Sequence, residues 1–391
     1  MGIADLDDYI TAINIPALVK DPCLRNGHCE INTNGSIRRY TGGYCVVFPY
    51  ISGSGQKYAV RCWFNEVEDA QYKAEVLTKK LKSLKLPYFI DFEYINNGIV
   101  AKSPMPIVRM EWVDAEDFRK FVTNNLHNRT MLERILENFV EMVCTLHKHN
   151  ISHGDLQHGN ILIKPDGRLL LVDYDSMYID ELKHTRNTIA GLPGFQHPSR
   201  AKDTKPSPKA DYFSELVIYI TLKVAIESPE LWLRYDCDKE STDLIFKASD
   251  FDDISRSKAY NEVYSISPDM AKLVSKLKES CQVGHFEMLK PLEDVINTLG
   301  VTTINTENYD SIFDSLKSAK EEAISRKVES QRNSIDMNFS QMFQTVTEAI
   351  NKQKEDQEEA QKKASIEISN AMQKFKVHIQ SIKKEEGAYG D

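Results

Sequence analysis

The sequence predicts an α+β fold of two lobes, a small β-rich N-lobe and a helical C-lobe, with a long C-terminal helix beyond them. Three observations carry this. Short runs rich in Val, Tyr and Phe alternate with turn residues between about residues 36 and 113. Apolar residues recur at helical spacing from about residue 115. Between Val301 and Glu386 there is neither glycine nor proline, and charged residues dominate. The chain accordingly divides into an N-terminal extension (1–35), an N-lobe (36–113), a C-lobe (114–300) and a helical or coiled-coil segment (305–386).

In chain order, GGYCVVFPYI and KYAVRCWF read as strands separated by the turn-like SGSG. Residues 66–85 read as an exposed helix, and YFIDFEYINNGIVA as a hairpin turning at Asn96-Asn97-Gly98. PIVRMEWV is a further strand. Leu132, Ile135, Leu136, Phe139, Val140, Val143 and Leu146 mark one face of a helix. Residues 211–226 are apolar almost all round, the pattern of a helix buried inside a domain.

Composition narrows the function classes. Hydrophobic residues make up 41% and charged residues 27%, so a core of useful size can form. A formal charge of −9 argues against nucleic acid or an acidic membrane as partner. No run approaches the roughly 18 apolar residues of a membrane span. The start, MGIADLDDYI, has no basic region and no long apolar run, and Leu6 stands where a myristoylation signal needs Ser or Thr. A cytoplasmic protein is expected. Seven scattered cysteines suit reduced thiols. Cys23, His28 and Cys29 lie close together, but no second ligand pair follows at zinc spacing.

The chemistry concentrates in His153-Gly154-Asp155-Leu156-Gln157-His158-Gly159-Asn160, followed by Asp173-Tyr174-Asp175. Phosphoryl transfer needs positioning and charge stabilisation more than covalent chemistry. One carboxylate must orient the attacking hydroxyl. A second carboxylate and an amide oxygen must hold Mg²⁺, which prefers oxygen ligands. Asp155, Asn160 and Asp173 supply that set. The turn Pro165-Asp166-Gly167 between two apolar runs would fold Asp173 back beside Asn160. Turn chemistry explains any one of the three residues but not their joint spacing.

This constellation resembles the protein kinase superfamily, whose catalytic loop reads H-R-D-L-x-x-x-N and is followed by D-F-G. The resemblance covers roughly residues 36–298 and implies a bilobal protein-kinase-like fold. It makes Asp155 the catalytic base, with Asn160 and Asp173 as magnesium ligands. Arg61, in YAVR, falls at the lysine of V-A-I-K, with Glu75 or Glu68 as its helix partner. Gly42 and Gly43 remain of the glycine-rich loop, with Cys45 at its third glycine. Val47, Ala59 and Leu162 would line the adenine pocket. Glu111 and Val113, in MEWV, belong to the interlobe hinge. GLPGFQHPS (191–199) resembles the end of the activation segment, and Asp211 the aspartate that anchors the catalytic loop.

Several positions depart from the pattern. Arg61 replaces lysine, Gly154 the arginine of H-R-D, Gln157 the lysine typical of Ser/Thr kinases, Asp175 the D-F-G glycine and Ser199 the A-P-E glutamate. HGD loops resemble those of antibiotic, choline and lipopolysaccharide kinases, and of a bacterial group of kinase-like proteins. The implied activity is an ATP- and Mg²⁺-dependent phosphotransferase acting on Ser/Thr of a protein. A pseudokinase that binds nucleotide and serves as a signalling module is the alternative, and a small-molecule kinase a second one.

Beyond the two lobes, Ile335, Phe339, Met342, Val346 and Ala349 step by four and three, as do Ile368, Met372, Phe375, Ile379 and Ile382. Such stripes are of coiled-coil type and predict self-association or capture of a partner helix.

Overall fold

The computed structural model describes residues 4–43, 45–65, 69–186, 190–301 and 362–363. Two compact units, Met1–Lys317 and Ser318–Asp391, divide the chain. Both lobes lie in the first.

Helix α1 (Leu6–Ile13) starts at a capping box in which Asp5 and Asp8 exchange side-chain and backbone hydrogen bonds. Strands β1 (His28–Cys29), β2 (Tyr40–Thr41), β3 (Cys45–Ile51) and β4 (Lys57–Trp63) follow. Helix α2 (Ala70–Leu84) then precedes β5 (Phe92–Val100) and β6 (Pro104–Glu111). The antiparallel sheet runs β1-β3-β4-β6-β5, with β2 also on β3. Strand alternation sorts its two faces. Cys45 and Trp63 look inward, onto Ala74, Leu77 and Leu81 of α2. Val46, Phe48, Tyr50, Val60 and Cys62 look outward.

That outer face is covered by the segment expected as an extension. Tyr9, Ala12, Ile13, Val19 and Leu24 pack on it as a second core. The Tyr9 hydroxyl donates to the Trp63 carbonyl at 2.9 Å, and Arg109 forms an ion pair with Asp21. Burying such side chains contributes about 1.5–3 kcal/mol each, so the segment is part of the N-lobe's stability.

One expectation is corrected here. Asn96-Asn97-Gly98 is not a hairpin turn; it lies within β5, at an irregularity between Ile95 and Ile99. Gly98 is required by close approach. A Cβ there would meet Ile107 Cγ1 at 2.3 Å, and the Gly98 carbonyl accepts from Lys20 N at 2.8 Å. The chain reverses instead at 101–103, where Ala101 N donates to Ser103 O at 3.1 Å.

The C-lobe opens with β7 (Glu116–Asp117), α3 (Phe118–Asn124) and α4 (Arg129–Lys148). Next come β8 (Ile161–Ile163) and β9 (Leu169–Leu171), which pair as a hairpin, with β7 on β8. Helices α5 (Tyr212–Glu227), α6 (Pro229–Arg234), α7 (Ala248–Asp252), α8 (Lys258–Tyr264), α9 (Pro268–Gln282) and α10 (Leu292–Leu299) complete it. Every residue of α5 from Phe213 to Leu222 is buried, as its uniformly apolar sequence predicts. Across α4, α5 and α10, His147 bonds Glu215 through Nε2 at 2.9 Å and Glu293 through Nδ1 at 3.0 Å.

Among the described residues, no helix is long and apolar enough to cross a membrane. The C-terminal stripes at Ile335–Ala349 and Ile368–Ile382 lie outside the described residues.

Candidate active site

The floor of the interlobe cleft hangs from α5. Asp211, just before that helix, accepts from Gly154 N at 2.9 Å and also from His153 N. The His153 ring, fully buried, meets the Val172 carbonyl at 2.9 Å. These contacts fix the loop that carries Asp155. Asp155 Oδ1 accepts from Leu192 N at 2.9 Å, and Oδ2 from Asn160 Nδ2 at 3.2 Å. Burial pushes its carboxyl up to about 6, against the pull of the Leu192 N–H.

The β8–β9 hairpin does what its turn sequence predicts. Ile161 faces Leu171, and Val172 N donates to the Asn160 carbonyl at 3.0 Å. Asp173 thereby arrives beside Asn160. It adopts φ +66°, a left-handed conformation that non-glycine residues hold only under constraint. The constraint is Tyr174, whose hydroxyl donates to Leu171 O at 2.6 Å and accepts from Ile90 N at 3.0 Å. The Asn160 amide nitrogen is used on Asp155, which leaves its amide oxygen and the Asp173 carboxylate as oxygen donors. That donor set fits Mg²⁺.

The roof comes from the inner faces of β3 and β4, where Val47 sits opposite Arg61 and Pro49 opposite Ala59. Ala59, Val113 and Leu162 are half-buried apolar residues against the main core, and Val47 is half-buried as well. Their apolar character fits a planar base between the lobes. Glu111 ends β6, and Glu111 N and Trp112 N are tied to Asp91 O and Lys57 O. Gly42 and Gly43 sit exposed in the turn between β2 and β3.

Arg61 is the charged centre. Its Nε donates to Cys45 Sγ at 3.1 Å. Its two terminal nitrogens grip Asp175 in parallel, NH1 to Oδ1 at 3.1 Å and NH2 to Oδ2 at 2.8 Å. NH2 also reaches Asp173 Oδ1 at 2.9 Å. Burial alone would lower the Arg61 pKa, but the carboxylates outweigh it and keep the guanidinium charged. Burial pushes the Asp175 carboxyl up, with Arg61 opposing.

The expected pairing of Arg61 with Glu75 is corrected. Helix α2 turns Lys73, Ala74, Leu77 and Leu81 inward, and Glu75 falls off that stripe. Glu75 is exposed and accepts from Gln71 Nε2 at 2.9 Å. Glu68 lies outside the described residues. The residue α2 turns toward the cleft is Lys73, whose Nζ donates to Arg186 O at 2.6 Å. Arg61, Lys73, Asp173 and Asp175 together line a small cavity under α2. The sequence marks Asp175 as a departure from the family pattern without pairing it with Arg61, and it gives Lys73 no part in the cleft. The available signal was the pairing of two departures, an added fork at Arg61 and an added carboxylate at Asp175.

A model of the protein kinase domain matches residues 41–283, more than half of the chain. The chain belongs to the protein kinase family. Among known kinases it is similar to the probable serine/threonine-protein kinase zyg-1 of Caenorhabditis elegans, 25% identical over 205 residues, covering 50% of this chain and 28% of that protein. It is similar to the serine/threonine-protein kinase dst3 of Dictyostelium discoideum, 24% identical over 168 residues, 40% of this chain and 28% of that protein. The serine/threonine-protein kinase STE20 of Debaryomyces hansenii matches at 26% over 125 residues, 32% of this chain and 12% of that protein. The chain thus matches less than a third of the length of each of these relatives.

Proposed function

We propose that this kinase domain is an ATP- and Mg²⁺-dependent phosphotransferase that acts on Ser or Thr hydroxyls of a protein. The observation that carries the reading is the convergence of Asp155, Asn160 and Asp173 through one hairpin and one anchored loop. Asp155 would orient the acceptor hydroxyl and take its proton. Asn160 and Asp173 would hold Mg²⁺, which supplies charge neutralisation to the phosphates when bound. Val47, Ala59 and Leu162 would enclose adenine, and the Glu111–Val113 backbone would pair with its edge. Arg61, its fork held by Asp175, would offer the phosphates its positive charge. Named serine/threonine kinases among the similar proteins support the choice of protein hydroxyls. The acidic composition and seven free thiols agree with a cytoplasmic setting.

A second reading, a pseudokinase that binds nucleotide without transfer, is favoured by one observation. Arg61 occupies an oxygen of Asp173, the carboxylate a metal would need.

The test is incubation with labelled ATP and Mg²⁺, with a generic Ser/Thr protein as acceptor. Wild type should incorporate label into itself or the acceptor, and Asp155→Ala and Asp173→Ala should lose it by about two orders of magnitude or more. Equal incorporation by all three proteins would sink the enzyme reading. Nucleotide binding without any transfer would establish the pseudokinase.

A further inference from the structure

The usual kinase cleft pairs a strand lysine with a glutamate from the helix above it. Here the strand carries Arg61, and the helix turns Lys73, a charge of the same sign, toward the cleft. The carboxylate stands elsewhere in the chain. We propose that Asp175 is the positioning residue for Arg61 and holds its guanidinium ready for the nucleotide phosphates, a task thereby removed from α2. This rests on the nucleotide-binding part of the reading above.

Two parallel N–H···O contacts fix both the distance and the plane of a guanidinium, which a single contact cannot do. Asp175 provides that pair at 3.1 and 2.8 Å. The carboxylate is itself held, since Trp63 Nε1 donates to its Oδ2 at 3.2 Å. The Trp63 ring also lies 5.6 Å from the guanidinium carbon. Cys45 Sγ accepts from Nε and completes the seat. None of these groups is on α2. Both Asp175 oxygens are taken up by Arg61, and Oδ2 by Trp63 as well, so the carboxylate acts through Arg61. The two departures from the family pattern are therefore complementary. A lysine could not use a bidentate partner, and a glycine at 175 could not supply one. Lys73 donates to the Arg186 carbonyl at 2.6 Å, and its charge also acts on the Asp175 carboxylate, so α2 reaches this seat only through a cation and supplies no carboxylate to Arg61.

The experiment measures ADP binding to the full chain by calorimetry, with and without Mg²⁺, alongside circular dichroism. Wild type should bind. Asp175→Asn keeps the size and an acceptor for Trp63, and should weaken ADP about tenfold or more while remaining folded. Arg61→Met should weaken ADP similarly, and adding Asp175→Asn to it should cost no further affinity, because the aspartate works only through the arginine. A purely structural role would lower the melting temperature and leave ADP affinity unchanged; that result overturns the proposal, as would additive losses in the double variant. If Asp175→Asn does not fold, Asp175→Glu decides. Its displaced carboxylate should still weaken ADP, and wild-type affinity would overturn the proposal. Failure of wild type to bind ADP would remove the nucleotide reading and this inference with it.

Discussion

At Gly154 the backbone has φ +77°, and a Cβ there would lie 2.2 Å from the Ser176 carbonyl oxygen. The backbone itself thus excludes the usual arginine at this position. The loop passes so close to the segment after Asp175 that no L side chain fits. Gly154→Arg, the change toward the family pattern, should not install a phosphate sensor. It should destabilise the chain by about 2–4 kcal/mol, through left-handed strain added to a backbone clash. Gly154→Ala should do nearly as much. Urea unfolding would check this, and unchanged midpoints would refute it. The convergence of Asp155, Asn160 and Asp173 was legible in the sequence because a short loop and one hairpin turn separate them. The pairing of Asp175 with Arg61 was not legible. Its partner Arg61 is 114 residues away in sequence and meets it only in the folded chain.

Helices were easier to read than strands. The four-three stepping of α4 and the uniform apolarity of α5 leave few alternative burial patterns. Strand β5 misleads because Asn-Asn-Gly has the same composition whether it turns the chain or lets a neighbour approach. Only Ile107, on the partner strand, decides between the two. The helices also carry a titratable joint. Burial alone would depress His147, but the Glu215 and Glu293 carboxylates outweigh it and raise it to about 10. Its unfolded value is about 6.5. Between those values the folded chain holds a proton that the unfolded chain has released, so stability falls as pH rises. The contribution is complete below about pH 6.5 and lost as pH passes through about 10. Glu215, raised by burial, titrates in the same sense. Denaturant midpoints of wild type should drop across this window. His147→Gln should start less stable and show a flatter profile. Parallel profiles for the two proteins would show that His147 is not charged in the fold.

At the scale of the whole molecule, the two-lobe plan was legible from the order of strand-rich and helical segments. The place of the first 35 residues was not. Tyr9, Leu24 and their neighbours carry no periodic signal longer than one short helix, and their role follows from an outer sheet face that would otherwise expose Val46, Phe48 and Tyr50. The remaining question of assembly turns on the chain beyond the C-lobe. Met342 and Val346 are consecutive members of a four-three stripe that a single helix cannot bury by itself. Each would contribute about 1.5–3 kcal/mol if buried between helices. The full chain should therefore scatter light as a dimer or larger. The double variant Met342→Lys, Val346→Glu should scatter as a monomer, because opposite charges at adjacent seam positions cannot be buried without losing both apolar contacts. Label incorporation into a separate acceptor should survive this change, since neither residue belongs to the unit that holds the two lobes. Equal masses for wild type and variant would show that the stripe does not assemble the chain. A monomeric variant that also lost transfer would show instead that two copies are needed for activity.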